Sequence, residues 1–406
     1  MTRLTLPVLL LLAACKGDAP EDTDTDVQVD CSIYGIDIPS VRGEIEGSYD
    51  AANGRLVIFG GNQDVPDGCA FGATDFIQDT WEYNLECGAF RQIADAGEVP
   101  SRRGRYATAT DGEKLYLSGG RFRDGTSGDY TLRRDLWAFD YATDTWSRLS
   151  RGEGPSGRSN HNMVYLDGKL WVFGGNDSNN GAFFAPLNDL WVYDLAAGTW
   201  SERSFAGPAP EARLFHGMAT DGDMIYVYGG GDANAFFGPF LADLWAFDPS
   251  NDTWTLMHDG VGGAQVPSDR FWANLEYDST TNQLILFGGH DNTDLGNTNQ
   301  VYSFDLGTAS WTRQIRGDVY ANGAAAQCDF PADFVDPDLD SPERRNAGAS
   351  AMTPDGQMII FGGKTDCGLI NDVWTYTVAG GWNLESAPTE GESCLRANQN
   401  CTSLCF

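Results

Sequence analysis

Positive charge is scarce in this 406-residue chain: 26 lysines and arginines face 58 aspartates and glutamates, a formal net charge of −32. Such an acidic surface repels nucleic acid and anionic membrane, which argues against both as partners, whereas cations and basic partners are tolerated. Histidine is rarer still, with four in the whole chain, and no Cys-x-x-Cys pair occurs, so zinc is the weaker reading of the cysteines. No G-x-S-x-G, P-loop or H-E-x-x-H run is present, which removes the hydrolase, nucleotide and zincin signatures. Beyond residue 15 no apolar stretch is long enough for a transmembrane helix.

What is present begins with MTRLTLPVLLLLAAC, one arginine ahead of a short apolar run. Its length and composition are those of a secretory h-region, too short to serve as a permanent span. The Leu-Ala-Ala-Cys ending resembles the lipobox of bacterial lipoproteins. That resemblance implies a signal peptide over 1–15, lipid on Cys15 as the sole membrane attachment, and residence in a bacterial cell envelope, at the outer membrane, periplasmic or surface-facing. Residues 16–42 read as an acidic flexible tether and lead-in; 16–30 alone carry six acids against one lysine and bury little. With Cys15 lipidated, eight cysteines remain, and an even number in an exported chain reads as disulfides.

The rest of the chain repeats. Runs ending in a glycine pair recur as VIFGG, YLSGG, WVFGG, YVYGG, ILFGG and IIFGG, 55–59 residues apart with one step of 74. Each is followed by a loop and a run such as DTWEYN, DLWAFD, DLWVYD or DVWTYT, and then by a second aromatic. Four short strand-like runs per copy, six times over, predict an all-β, six-bladed propeller with four antiparallel strands per blade. The glycine pair, the D-x-W-x-(Y/F)-D run, the later tryptophan and an arginine ahead of the first strand together resemble the kelch repeat, over residues 43–386. Blade 5 departs with Tyr302 in place of tryptophan, blade 6 with a shorter aromatic spacing, and blade 1 with no arginine at the expected place. Residues 387–406 form a Cys-rich C-terminal tail.

In NDLWVYDLAAGTW, Trp200 should lie opposite Tyr193 and diagonal to Trp191 across a hairpin, on one sheet face. Six copies of such a triad mean inter-blade packing, because a single site does not need six copies. Repeated residues are therefore architecture and unrepeated ones are candidates. Calling the strands of a blade a to d, the a–b and c–d turns are uniformly short, whereas the b–c and d–a loops are long and unequal, so their face is the expected functional face.

On that face Arg105, Arg158, Arg213, Arg270 and Arg345 are expected to ring the channel mouth as an anion collector, unless each instead pairs with a neighbouring blade. The aromatics Phe183, Phe184, Phe236, Phe237 and Trp272 are candidate ligand contacts there. His258 and His290, with Asp291 and Asp294, are a candidate metal or acid–base group. Alternate carboxylates Asp336, Asp338 and Asp340 suit calcium, without the glycine and glutamate of an EF-hand. His161 and His216 share a repeat position and read as structural. Loop positions make Cys328–Cys367 the preferred disulfide, with Cys31 joining the C-terminal tail at the blade 6–blade 1 seam. Galactose oxidase shares the kelch-type propeller, but its copper-ligand motif has no counterpart here. The expected function is a monomeric binding module for a protein or glycan, with no required cofactor beyond possible calcium; the alternative is an enzyme acting on a carbohydrate or small anion at the channel mouth.

Overall fold

Alternating apolar and polar residues, cut by Asp-Gly and similar pairs, leave each repeat little choice but a four-stranded meander. Between Leu166 and Lys169 the turn residues Asp167 and Gly168 both take positive φ (50° and 72°), the primed geometry that matches the twist of a tight hairpin. The computed structural model describes residues 29–63, 75–125, 127–181, 183–234, 238–291, 296–320, 335–365 and 368–389. Its blades are Gly47–Asp50, Arg55–Phe59, Thr80–Asn84, Ala89–Ile93 (blade 1); Ala107–Thr110, Lys114–Ser118, Leu136–Asp140, Thr145–Ser150 (blade 2); and Asn162–Leu166, Lys169–Asn176, Pro186–Asp194, Thr199–Arg203 (blade 3). Blade 4 is Gly217–Thr220, Ile225–Gly231, Phe240–Asp248, Thr253–His258; blade 5 is Asn274–Asp278, Gln283–Phe287, Val301–Asp305, Ser310–Ile315. Blade 6 is Ala349–Met352, Met358–Thr365, Gly368–Thr377, Gly381–Ser386. Every blade is antiparallel in the order a-b-c-d, and the six a strands touch in a closed cycle around the axis.

The core lies between blades. Six apolar layers each join two neighbours: Val57, Phe59, Leu117 and Trp137 between blades 1 and 2, for example, and Ile58, Trp81, Ile359 and Phe361 between blades 1 and 6. In blade 3, Tyr193 pairs directly with Trp200 as the spacing predicts, the rings 5.1 Å apart. The Tyr193 hydroxyl donates to Leu149 O of blade 2, and Trp200 lies against Gly154 so closely that a Cβ there would meet the indole at 2.3 Å. The triad is thus inter-blade packing, with each aromatic pair adding about 0.5–1.5 kcal/mol beyond burial.

The glycine pairs make the seams. Gly60 and Gly61 have φ of 56° and 105°, and a Cβ on Gly60 would meet Arg103 O of blade 2 at 3.0 Å. The second glycine donates its N–H to the backbone of the next blade: Gly61 to Arg103 O, Gly120 to Arg158 O, Gly175 to Arg213 O and Gly289 to Arg345 O, all at 2.9 Å. The closing seam uses the same bond, from Gly363 to Arg42 O at 2.9 Å, with Asn371 Nδ2 donating to Pro39 O. The ring therefore closes without strand exchange, through the lead-in. That lead-in is fastened to blade 1 by a Cys31–Cys87 disulfide. Cys31 is thus not joined to the C-terminal tail as expected: the lead-in starts beside the c–d turn of blade 1, which brings Cys87 within bonding distance. Cys328 and Cys367, together with Cys15 and residues 1–28, lie outside the described residues.

Candidate functional site

The loop face is organised by an arginine clasp in every blade. Arg158 donates from Nη1 and Nη2 to the two oxygens of Asp189 (2.7 and 2.8 Å) and from Nη1 to Gly174 O, while Trp191 Nε1 donates to the same carboxylate at 2.8 Å. Arg213 with Asp243 and Trp245, and Arg345 with Asp372 and Trp374, repeat the arrangement. In blade 5 the carboxylate is replaced: Arg270 Nη2 donates to Gln300 Oε1 at 2.9 Å, and Tyr302 reaches the same oxygen. Burial raises the Asp135 and Asp243 carboxyls, but the hydrogen bonds and charges of Arg103 and Arg213 outweigh it and hold both below the ordinary carboxylate range.

These bonds correct the expected ring of arginines. Arg158, Arg213, Arg270 and Arg345 are buried, and their guanidinium groups are committed within their own blades, to a carboxylate or, in blade 5, to the Gln300 amide. The blade 2 member of the set is Arg103, on Asp135, and not Arg105; blade 1 has its member after all, Arg42 on Asp79. In Ser-Arg-Arg-Gly-Arg, spacing alone does not choose among three arginines; reach to Gly119 O and Asp135 does.

Arg105 occupies a different repeat position, two residues further on, shared with Glu44, Asn160, Phe215, Trp272 and Ala347. All six have left-handed φ between 53° and 60°. Their backbones link blade to blade around the axis: Arg105 N–H to Glu44 O (2.8 Å), Asn160 to Arg105 O (3.0 Å), Phe215 to Asn160 O (2.9 Å) and Trp272 to Phe215 O (2.8 Å). Their side chains close the channel on the loop face. The Arg105 guanidinium lies 4.7 Å from the Trp272 ring centroid and 5.5 Å from that of Phe215, and donates to Glu44 Oε1 at 2.7 Å. Lys364 Nζ reaches the same oxygen at 2.7 Å, with Arg121 3.8 Å away. Burial alone would raise the Glu44 carboxyl; Arg105, Lys364 and Arg121 together drive it well below the usual range. Among the described residues Glu44 is the one carboxylate paired with these three cations. Burial and then the like charge of Arg105 lower Arg121 to about 10.

Beside the mouth, blade 2 stacks arginine on aromatic rings: Arg121 and Arg123 lie 3.8 and 4.3 Å from the Tyr130 centroid, and Arg102 lies 4.6 Å from Phe122. Of the predicted aromatics, Phe183 is 74% exposed. Phe184 packs edge-on to Phe215 at 6.1 Å, Trp272 forms part of the plug, and Phe236 and Phe237 lie outside the described residues.

Among the described residues no three His, Cys, Asp or Glu side chains converge. His290 is stacked on Phe271 and edge-on to Phe240, and the Asp291 carboxylate accepts from Ser268 Oγ beside Arg270. His258 Nδ1 accepts the Gly260 N–H, and Asp294 lies outside the described residues. Asp338 spends its carboxylate on Ser341 and the Asp340 N–H, ordering a turn, while Asp336 and Asp340 are exposed. His161 and His216 are wedged against the glycine pairs of adjoining blades, and burial, then Arg158 and Arg213, hold both neutral, His161 at about 3.

Below the plug the axis is hollow, a cavity of about 230 Å³ lined by the a strands of the six blades and reaching Tyr49, Tyr165 and Tyr277 on the a–b face. Two carboxyls that sequence reasoning passed over, Glu46 and Glu276, line it. The signal was available: neutral residues fill the positions equivalent to Glu46 (Ala107, Asn162, Gly217, Asn274, Ala349) and to Glu276 (Ser48, Ala109, Val164, Ala219, Ala351) in the other blades.

Residues 50–275 match the family described as the KLHDC2/KLHL20/DRC7 Kelch-repeats domain. Among curated proteins, the chain is 24% identical over 299 residues to the leucine-zipper-like transcriptional regulator 1 homolog of Drosophila melanogaster, across 73% of this chain and 27% of that one. It is 28% identical over 288 residues to N-(sulfonatooxy)prop-2-enimidothioate sulfolyase of Thlaspi arvense (66% and 72%), and 25% identical over 321 residues to kelch domain-containing protein 10 of Xenopus tropicalis (77% and 69%). The chain spans about a quarter of the length of the Drosophila relative. With the match covering more than half of its length, and with six clasped blades, the chain belongs to the kelch-repeat family.

Proposed function

We propose that this chain is an exported, lipid-anchored binding module that recognises a protein or glycan through the loop-rich face of its propeller. The observation that carries the reading is the plug. Arg105, Phe215 and Trp272 close the axis, and beside them Arg121, Arg123 and Arg102 stack on the rings of Tyr130 and Phe122. Arg105, Arg121 and Lys364 favour an acidic group on the ligand, and exposed Phe183 supplies an apolar contact. The lipid anchor on Cys15 would hold this face at the cell envelope.

Glycan-array and acidic-peptide capture by the purified protein tests the reading. Arg105→Gln with Phe183→Ala should lower capture at least about tenfold, a loss of ~1.4 kcal/mol; undiminished capture refutes the face. For the anchor, Cys15→Ser should abolish incorporation of a labelled fatty acid in a bacterial host. A second reading, an enzyme acting on a small anion at the same mouth, draws on the same cations and on the sulfolyase relative, whose name carries a sulfonatooxy group. Turnover of a small organic sulfate or carboxylate, lost in Arg105→Gln, would favour it.

A further inference from the structure

The axial cavity is separate from the loop face, because the plug lies between them and its lining runs on to Tyr49, Tyr165 and Tyr277 at the a–b side. Its charge is confined to one arc. Glu276 and Ser350 come from the a strands of blades 5 and 6, and Glu46 from just ahead of strand a in blade 1, three blades consecutive around the ring; the Ser350 hydroxyl donates to Glu276 Oε1 at 2.6 Å. Asn274 Nδ2 donates to Ser350 Oγ and fixes that hydroxyl's orientation. Facing this arc, the lining from blades 2 to 4 carries no Asp, Glu, Lys or Arg, and includes Thr108, Asn162 and Met218. Ser48 lines the same cavity at 4% exposure, and its hydroxyl meets no hydrogen-bond partner among the described residues.

Among the described residues no cation pairs with either carboxyl. Toward the plug they face Glu44, whose carboxylate already holds Arg105, and the neutral His161 and His216; the Tyr106 hydroxyl is spent on backbone oxygens. Toward the open end stand the tyrosines. Burial and mutual repulsion raise Glu46 to about 8, and burial raises Glu276 to about 7, so the empty cavity retains protons near neutrality.

We propose that the axial cavity binds a small cation, held by Glu46, Ser350 and Glu276 and admitted from the a–b face. A divalent metal ion and a compact ammonium group share the required chemistry: positive charge and oxygen ligation or N–H donation. On binding, both carboxyls release their protons to solvent, so affinity rises with pH.

Calorimetric titration of the purified protein with Ca²⁺, Mg²⁺ and 1,4-diaminobutane, at about pH 8.5 and about pH 6, reads this directly. At least one of the three should saturate a single site at the higher pH, bind at least about tenfold more weakly at the lower, and release protons in paired buffers of different ionisation heat. Glu46→Gln and Glu276→Gln should each abolish the heat while unfolding cooperatively, which separates loss of the site from loss of the fold. Saturation by the diamine alone identifies an ammonium ligand, and by a metal alone a metal site. No saturable binding of any of the three at the higher pH, or undiminished binding by Glu46→Gln, overturns the proposal.

Discussion

Replacing Asp189 by asparagine isolates the clasp. The aspartate accepts three hydrogen bonds, two from Arg158 and one from Trp191, and Arg158 is 3% exposed at its side chain against 22% for Asp189. Removing one member of a fully buried ion pair costs about 3–5 kcal/mol, because the other charge is left without compensation. Partial access of water at Asp189, and the amide oxygen that remains, place the expected cost at the lower end, about 3 kcal/mol. With an unfolding entropy of ~2.1 cal/mol/K per residue over roughly 340 residues, that is a fall in melting temperature of about 4 °C.

Blade 5 supplies the internal control. Gln300 accepts a single bond from Arg270, whose nearest carboxylate, Asp291, stands 3.8 Å away, so Gln300→Ala should cost only about 1 kcal/mol. Urea unfolding of the two variants, with Arg158→Met and the Arg158→Met/Asp189→Asn double variant, completes the cycle. A coupling energy of about 2 kcal/mol between Arg158 and Asp189 is expected. Equal costs for Asp189→Asn and Gln300→Ala, or a coupling below ~0.5 kcal/mol, would refute the claim that charge pairing, and not the shape of the strand c terminus, holds each blade.

Other consequences follow from the same geometry. The neutral His161 and His216 contribute stability that is present above about pH 6.5 and lost as pH falls toward their depressed values, whereas protonated Glu46 and Glu276 contribute stability that is present below about pH 4.5 and lost as pH rises through about 7 and 8. Melting temperature without divalent cations or amines should therefore peak near pH 6, and Glu46→Gln should flatten the alkaline limb; a monotonic rise to pH 9 would contradict this. Gly61→Ala should unfold the protein at much lower urea than Gly97→Ala, since at φ +105° its Cβ meets Ile45 at 2.3 Å, whereas around Gly97 nothing lies within 4 Å. Reduction of Cys31–Cys87, which closes a 56-residue separation, should cost up to about 4 kcal/mol by chain entropy and expose the lead-in to limited proteolysis ahead of the blades.

The propeller was legible because each blade says the same thing. Six glycine pairs, six Trp-or-Tyr runs and six second aromatics override any single deviation, and the Tyr193–Trp200 register followed from turn length alone. The arginines were legible as a set but not in phase: Arg103 and Arg105 are two residues apart, and only the position of Asp135 and Gly119 in space distinguishes clasp from plug. Arg42 escaped notice for a related reason, since it precedes the first strand in what looks like linker, yet it makes the closing seam. The disulfide depends on the path of the lead-in along blade 1, which no local pattern specifies. Glu46 and Glu276 were legible in principle, as acidic residues at positions where every other blade has a neutral residue. Their signal is masked because the innermost strands repeat, and repetition reads as scaffold.

That division between loops and scaffold fails at the axis, where strand a serves both roles. The left-handed residue ahead of each a strand turns its side chain into the mouth, so six repeat positions with one backbone geometry carry six different residues, Glu44, Arg105, Asn160, Phe215, Trp272 and Ala347. Backbone demand there is architectural while the side chain is unconstrained by the repeat, which leaves chemistry to vary at fixed geometry. Two residues further on, the same strands pass into the cavity, and Glu46 and Asn274 again differ where the backbone does not. A plug of opposite charges above and an acidic arc below then divide one channel into two environments. Exchange of Glu44 and Arg105 would preserve the plug's charge, whereas loss of Glu44 alone would leave Arg105, Arg121 and Lys364 facing one another and open the axis from the loop side.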